Sequence, residues 1–389
     1  MRELVVRPVG QAEYLAFFAR HPLASFMQTP AWAAVKSEWG HDLLGWFDGE
    51  QIVAAGLVLY RYLARGRYCL AYFPEGPLAQ WDGDQAELFP PLARYMKKRG
   101  AFCLRIGPTC VWRRWFTETV KQAIADPSVE RLSDVPPDVV EEKGLALTAY
   151  LRANGWRPQQ ALGGFASGQP SFNFWLPLAD KSESDLLAGM NQLWRRNIKK
   201  ADKLGVSVRQ GNREDLPRFH KLYVETAARD GFHPRPAAYF DQMWDALRGE
   251  DPDRIRVYLA EDGDDLLAAT LWVKAGRHVW YSYGASSTAK REMRGSNAIQ
   301  WQMIRDALAA GAELYDFRGI VDEIGTDSPE TGILQFKVGA GGQAIEYVGE
   351  WDLPFNRVLY RLFQIYTNRH KLLSQAKNRL RSFGRQKER

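Results

Sequence analysis

Cysteine, histidine and long apolar runs are all scarce in this sequence of 389 residues. The three cysteines include no CxxC pair, so neither a disulfide framework nor a zinc–thiolate site is predicted, and a reducing cytoplasm is the expected location. The six histidines form no HxH or HExxH motif, which excludes the usual zinc hydrolase signature. The sequence contains neither a run of about 18 apolar residues nor a signal-peptide core, so we expect a soluble or at most peripheral protein.

Glycine-rich phosphate loops and nucleophile motifs are missing as well. No GxxxxGK[ST] loop occurs, and no GxGxxG follows a predicted strand, which excludes P-loop and dinucleotide-binding folds. The glycines within 338–342 precede a strand-like segment and are predicted to form a turn. The GxSxG elbow of serine hydrolases is also absent. We therefore predict neither a bound metal nor a cofactor.

Basic residues are in modest excess overall and concentrated at the C-terminus. Lys and Arg number 52 against 46 Asp and Glu, a net charge of +6. The predicted helical segment from residue 356 onward carries ten Lys or Arg and the single acid Glu388. An anionic partner is therefore expected, and this C-terminal segment is a candidate for contact with a membrane surface.

Hydrophobic periodicity predicts a mixed α/β protein. The predicted strands are 44–47, 52–60, 67–71, 102–106, 172–176, 255–261, 266–273, 277–283 and 314–317. The predicted helices are 30–38, 86–98, 184–204, 216–229, 237–248 and 297–309. Both halves of the chain show the same rhythm, a hairpin with a polar turn followed by a strand, a helix and a strand. A duplicated α/β domain is therefore predicted.

Two short motifs place cationic and aromatic side chains where they suit an anionic ligand. Arg235 and Tyr239 lie about one turn apart at a predicted helix start, a position that favours a diphosphate. Tyr281 and Tyr283 alternate along a predicted strand, so both are expected on one side of it. That spacing is equally consistent with a core-facing aromatic pair and with a ligand platform.

Two further basic features each allow two interpretations. Lys337 lies in an apolar segment, 334–339, that is predicted to be a strand, and it is either a half-exposed strand lysine or a cleft lysine that stabilises negative charge. The basic segment 193–206, which overlaps the predicted helix 184–204, is either a solvated charged face or a contact surface for a phosphate backbone. Its basic residues are Arg195, Arg196, Lys199, Lys200 and Lys203.

The segment 292–297 lies between a strand and a helix, as does the coenzyme-A loop of Gcn-five-related acyltransferases, but it begins with an acid and ends with Asn. With this loop and the motifs above, the chain resembles the FemABX family, peptidyltransferases that move an amino acid from aminoacyl-tRNA onto a peptidoglycan precursor. The segments that carry the resemblance are 29–36, 72–77, 195–206, 283–287, 316–319 and 336–337.

The resemblance implies two tandem GNAT-like domains with mixed sheets flanked by helices. Residues 1–167, completed by 349–389, would form the first domain, and residues 168–348 the second. The direct run from 184 to 225 implies the FemX type, which lacks a helical arm. A monomer is expected, and its reaction would transfer Gly, Ala or Ser to the stem-peptide amine of UDP-MurNAc-pentapeptide or of its lipid-linked form.

The same resemblance implies functional residues. The implied acceptor-binding residues are Lys36, Arg235 and Tyr239 for the diphosphate and Tyr281 and Tyr283 for the groove. Phe336 and Lys337 are the implied catalytic pair, in which Lys337 stabilises the transition state. The chain has Gly107-Pro108 where relatives commonly have Asp-Pro, so no role for that acid carries over.

Two other functions stay open at this point. The first is a module without enzymatic activity that binds a cell-wall precursor and docks on a membrane through its basic C-terminus. The second is a CoA-dependent N-acyltransferase. Full turnover without membrane binding by a chain truncated after Leu353 would show that docking is not essential, and binding of acetyl-CoA would favour the second function.

Overall fold

The computed structural model describes residues 3–63, 66–83, 85–159, 168–324 and 329–367. The strands are β1 (Val5–Pro8), β2 (Gly40–Asp48), β3 (Gln51–Leu63), β4 (Tyr68–Phe73), β5 (Ala101–Ile106), β6 (Val111–Phe116), β7 (Val139–Val140), β8 (Arg157–Pro158), β9 (Phe172–Pro177), β10 (Ser207–Gly211), β11 (Ile255–Asp262), β12 (Asp265–Ala275), β13 (His278–Ser286), β14 (Leu314–Gly319), β15 (Gln343–Tyr347) and β16 (Trp351–Pro354). They form two mixed sheets, which confirms the predicted α/β class.

Helices cover both sheets. They are α1 (Gln11–Phe18), α2 (Pro30–Val35), α3 (Gln85–Lys98), α4 (Thr117–Ala125), α5 (Glu142–Ala153), α6 (Glu183–Gly189), α7 (Gln192–Lys203), α8 (Leu216–Asp230), α9 (Ala237–Glu250), α10 (Gly295–Ala309) and α11 (Pro329–Gly339). Residues 357–367 form a further helix, named here the C-terminal helix. Within the described ranges, no helix is both long and apolar enough to cross a bilayer.

The two sheets repeat one strand–helix–strand pattern. In the first sheet, of order β1-β2-β3-β4-β5-β16-β8, the antiparallel strands β2, β3 and β4 are followed by α3 and by β5, which pairs parallel to β4. In the second, of order β10-β11-β12-β13-β14-β9-β15-β6-β7, the antiparallel strands β11, β12 and β13 are followed by α10 and by β14, parallel to β13. A parallel pair needs such a crossover, so the predicted duplication has a direct structural counterpart.

The domain boundaries of the sequence analysis stay a prediction, and strand pairing departs from them at one place. β16 returns to the first sheet beside β5, as expected for a C-terminal segment that completes it. However, β6 and β7, which lie within 1–167, belong to the second sheet, where β6 pairs with β15. Trp115 of β6 is accordingly buried among the apolar residues of the second half.

Two predicted elements are corrected. The single helix expected over 184–204 is two helices, α6 and α7, because the Asn191 side chain caps α7 by accepting the Trp194 N–H at 2.8 Å. The strand expected over 334–339 is the last part of α11. A six-residue apolar run does not distinguish a buried strand from a buried helix, which explains the error.

An apolar cluster joins the two halves of the chain. Trp32 and Val35 of α2 lie in the same cluster as Phe240 and Trp244 of α9, and the backbone N–H of Ala31 donates to Glu250 Oε1 at 2.8 Å. Buried apolar area of this kind stabilises one relative arrangement of the halves. This packing therefore holds the two halves on either side of a cleft.

Candidate active site

A cleft of about 760 Å³ is lined by residues from both halves of the chain. The first half contributes side chains of α2, β3, β4 and β5, and the second contributes α9, β13, β14 and α11. The C-terminal helix borders the cleft with Phe363, Gln364 and Thr367. A concave site of this size suits a ligand of several hundred daltons.

Lys36, Arg235 and Tyr239 meet in the wall of this cleft. The Lys36 Nζ lies 5.0 Å from the centre of the Tyr239 ring, and the Arg235 guanidinium carbon lies 5.1 Å from the same centre. Burial lowers the pKa of Lys36, and the nearby charge of Arg235 lowers it further. Because two cations share one aromatic ring, this corner is suited to a ligand with two negative charges.

Tyr281 and Tyr283 both line the cleft, but they lie on different sides of β13. Tyr281 packs against the apolar cluster that contains Trp194, whereas Tyr283 packs against the cluster shared by the two halves. The expectation of one common side is wrong because β13 has a bulge, at which Tyr283 adopts a φ of 49°. The bulge turns the Tyr283 hydroxyl to within 3.0 Å of the Tyr239 hydroxyl.

Lys337 extends from the last turn of α11 into the cleft and is only 5% exposed. Its ammonium group donates to the carbonyl oxygens of Gly319, at 2.6 Å, and Arg318, at 3.2 Å. A protonated lysine has three N–H donors, so one stays available for a ligand. Burial lowers the pKa of Lys337 to about 7, with Asp316 opposing this shift and Arg318 adding to it.

Arg318 was missed as a site residue by the sequence analysis, although it lies in the segment 316–319. It lines the cleft, and its φ of 63° is in the left-handed region, which is unfavourable for a residue with a side chain. Its backbone N–H donates to Asp316 Oδ1 at 2.6 Å, and its guanidinium donates to Glu75 Oε1 at 2.8 Å. This backbone conformation is the one in which the two carbonyls contact Lys337.

Glu350 was also missed, because no motif surrounds it in the sequence. It is 8% exposed, lines the cleft and accepts a hydrogen bond from the Tyr72 hydroxyl at 2.5 Å. Burial raises the pKa of its carboxyl group. A Cβ atom placed on Gly107 would lie 3.3 Å from Glu350 Cγ, so the Glu350 side chain occupies the space beside Gly107, the position at which the family resemblance implied an acid. The only sequence signal was the missing acid itself.

The structure does not bring every predicted site residue into the cleft. Phe336 packs instead on Trp194, with ring centres 4.8 Å apart, and its carbonyl accepts the Trp194 indole N–H. Arg195 donates to the Met190 carbonyl at 2.7 Å and to the Ala188 carbonyl at 3.0 Å, so it completes the end of α6. The remaining basic residues of α7 are exposed and lie outside the cleft lining: Arg196, Lys199, Lys200 and Lys203.

Part of the predicted basic surface lies outside the described ranges, namely the C-terminal residues 368–389. Over the part of the chain that is described, no group of three His, Cys, Asp or Glu side chains could hold a metal ion. The ionisable groups that line the cleft belong to lysine, arginine, tyrosine and glutamate side chains.

Comparison with known sequences identifies relatives over most of the chain. A sequence model of the FemAB family matches residues 9–261 and 250–368. A lipid II:glycine glycyltransferase of Staphylococcus epidermidis is 26% identical over 429 residues, an alignment that covers 92% of this chain and 94% of that protein. The lipid II:glycine glycyltransferase of Staphylococcus aureus is 24% identical over 436 residues, with the same two coverages.

Comparison with solved structures identifies the fold. The crystal structure of FemX superimposes with a TM-score of 0.75 at 21% sequence identity, covering 92% of this chain and 99% of FemX. A tandem GNAT protein from the clavulanic acid biosynthesis pathway gives a TM-score of 0.50 at 12% identity, covering 90% of this chain and 98% of that protein. The chain therefore has a FemX-like fold with GNAT-like units in tandem.

Proposed function

The chain belongs to the FemAB family, and from this premise we propose that it is an aminoacyltransferase that extends the stem peptide of a peptidoglycan precursor, with aminoacyl-tRNA as donor. The relatives named lipid II:glycine glycyltransferase support a precursor as acceptor and an amino acid as the transferred group. The observation that carries the proposal is the cleft. It contains both the buried Lys337 and the dicationic corner, which is the group of Lys36, Arg235 and Tyr239.

In this proposal, Lys36 and Arg235 bind the diphosphate of the acceptor. UDP-linked and lipid-linked precursors share this group, so the corner suits either form of the substrate. Arg235 supplies a planar donor set for phosphate oxygens, and Lys36 adds a second positive charge. Tyr239 holds both cations through its ring, and Tyr283 positions Tyr239 by the hydrogen bond between their hydroxyls.

Lys337 stabilises the transition state. The acceptor amine attacks the carbonyl carbon of the aminoacyl ester, which forms the C–N bond and places negative charge on the carbonyl oxygen. Lys337 donates its third N–H to this oxygen, while the Gly319 and Arg318 carbonyls hold the other two donors in place. Cleavage of the C–O bond then releases the tRNA ribose hydroxyl, which receives the proton lost by the amine. The ester is already activated, so orientation and charge stabilisation supply most of the catalysis.

The donor tRNA contacts the exposed basic side of α7, and Arg196, Lys199, Lys200 and Lys203 bind its phosphates. Arg195 is left out of this surface, because the two bonds that its Nη1 donates to backbone carbonyls hold its side chain against the end of α6. Phe336 supports Lys337 from the core side through its contact with Trp194 and does not touch the substrate.

The direct test is transfer of a radiolabelled amino acid from a charged tRNA pool to UDP-MurNAc-pentapeptide and to its lipid-linked form. We expect the native chain to label at least one acceptor, and we expect Lys337→Met to lower kcat by about 100-fold or more, because it removes the donor to the oxyanion. Lys221→Met, at an exposed position of α8, is the matched control. A folded native chain that labels neither acceptor, or a Lys337→Met variant with native kcat, would contradict the proposal.

A further inference from the structure

The outer face of the C-terminal helix, residues 357–367, exposes an apolar stripe. Val358, Leu362 and Ile365 are 68%, 57% and 52% exposed. Their spacing of four and three residues places them on one side of a helix. The opposite side is buried, since Tyr360 and Phe363 lie in an apolar cluster with residues of the first sheet. The helix is thus apolar on two opposite sides. Within the described ranges, the side with Tyr360 and Phe363 belongs to an apolar cluster, and the side with Val358, Leu362 and Ile365 does not.

The charge of this region complements an anionic surface. Arg357 and Arg361 are exposed and lie along one side of the stripe. Residues 357–389 contain ten Lys or Arg and one acid, a net charge of +9, whereas the whole chain carries +6, so residues 1–356 sum to −3. A helix with an apolar face, flanking arginines and a basic continuation has the composition of a segment that lies in the interface of an anionic bilayer.

The stripe lies next to the substrate cleft. Phe363, Gln364 and Thr367 of the same helix line the cleft. Leu63 of β3 packs against the cluster around Phe363, and Arg61, two residues earlier on the same side of β3, lies over the Trp39 ring. The backbone N–H of Trp39 donates to the backbone carbonyl of Lys36 at 2.8 Å. The C-terminal helix and the corner formed by Lys36, Arg235 and Tyr239 therefore border the same cleft.

From these observations we propose that the C-terminal helix docks on the surface of an anionic membrane, with Val358, Leu362 and Ile365 inserted among the lipids, and that it thereby presents the cleft to a lipid-linked acceptor. The part that concerns the acceptor rests on the proposed function. The diphosphate of such an acceptor is the group nearest to the lipid, so a cleft beside the bilayer receives it while the lipid stays in the membrane.

The test compares the native chain with the triple variant Val358→Ser/Leu362→Ser/Ile365→Ser. Binding is measured by sedimentation with vesicles of phosphatidylglycerol and with vesicles of phosphatidylcholine. We expect the native chain to favour phosphatidylglycerol and the triple variant to bind it at least about tenfold more weakly, because three apolar side chains no longer enter the bilayer. The matched control, Val5→Ser/Leu23→Ser/Leu145→Ser, changes exposed apolar residues elsewhere and should bind like the native chain.

The rate of amino-acid transfer provides a second test of the proposal. With a lipid-linked acceptor in vesicles, we expect the triple variant to lose at least about tenfold in rate, whereas the rate with a soluble UDP-linked acceptor, where the native chain uses one, stays native. Native vesicle binding by the triple variant would overturn the proposal, as would a dimer of the native chain that the triple variant abolishes. Failure of the native chain to transfer to any acceptor would contradict the proposed function alone, because vesicle binding is measured without it.

Discussion

At the scale of single residues, the most informative group is the buried ammonium of Lys337. Its pKa is lowered from 10.5 to about 7 in the folded chain, chiefly by burial. Between about pH 7 and pH 10.5 the unfolded chain binds more protons than the folded chain. The free energy of unfolding therefore rises with pH across this range. Burial of a charge at the site thus opposes stability while it serves the reaction.

This linkage predicts a measurable difference between the native chain and Lys337→Met. From about pH 7 to about pH 8.5 the native chain should gain roughly 1.5 kcal/mol of unfolding free energy relative to the variant, which has no titrating group there. Urea denaturation at the two pH values measures it. Lys221→Met, which removes an exposed lysine, should follow the native pH dependence. Parallel curves for native and Lys337→Met would show that the lysine keeps its ordinary pKa.

The dicationic corner gives a second prediction at this scale. Arg235→Gln or Lys36→Gln should raise KM for the acceptor by about ten- to a hundredfold and leave kcat within a fewfold, because a charged hydrogen bond to the diphosphate is removed far from the reacting atoms. Arg248→Gln is the control, since Arg248 stacks on Trp244 of the same helix but lies outside the cleft lining. A fall in kcat at unchanged KM would place the two cations at the chemical step instead.

At the scale of elements, the contact between α11 and the start of α7 determines where Lys337 lies. Gly339 has no room for a side chain, because an added Cβ would lie 2.5 Å from Trp194 Cδ1 and 3.0 Å from the side-chain Nδ2 of Asn191. The Gly339 carbonyl also accepts the Asn191 N–H at 3.0 Å. Lys337 is two residues away, so any displacement of this helix end moves its ammonium group.

Two glycines on α11 therefore form a matched pair. Gly339→Ala should lower kcat by about tenfold or more, since a displacement of about 1 Å at a catalytic group has effects of this size. Gly332→Ala should leave kcat unchanged and stabilise the chain by about 0.5–1 kcal/mol, because its Cβ would meet nothing within 4 Å and alanine favours the helix. Steady-state kinetics and thermal unfolding of both variants measure this, and equal kcat values for the pair would contradict the role of the contact.

At the scale of the whole molecule, donor and acceptor are expected to bind separate surfaces. Replacing Arg196, Lys199, Lys200 and Lys203 together by Gln should weaken tRNA binding and reduce the slope of log affinity against log salt by about one for each phosphate that is no longer bound. The KM for the acceptor should not change. A control with equal reduction of charge elsewhere replaces Arg20, Lys97, Lys98 and Arg152 by Gln. Equal slopes for the two variants would place the tRNA on another surface.

Much of the fold could be predicted because it depends on local periodicity. The strands of both hairpins, the helices α8 and α9 and the duplicated order of elements follow from apolar spacing and turn residues, which act over a few neighbouring residues. The meeting of Lys36, Arg235 and Tyr239 was expected from the resemblance to a family, since nothing in their spacing along the chain brings Lys36 to the other two.

Other features depended on contacts between distant segments. The apolar run around Lys337 is helical, and its end packs against the start of α7. The two tyrosines of β13 lie on different sides of the strand because of a bulge, which is determined by pairing with β12. Glu350 and Arg318 line the cleft beside partners that are distant in sequence, Tyr72 and Glu75. Strand β6 belongs to the second sheet because it pairs with β15.

The sequence by itself determined the α/β class, the duplication and the basic C-terminus, because composition and periodicity are properties of neighbouring residues. Only the tertiary structure decided which lysine is buried, which carboxylate lines the same cleft and which apolar stripe stays exposed. The physical reason is that desolvation, backbone strain and burial are properties of the space around a side chain, and that space is formed by residues as far apart as Tyr72 and Glu350, which are 278 positions apart.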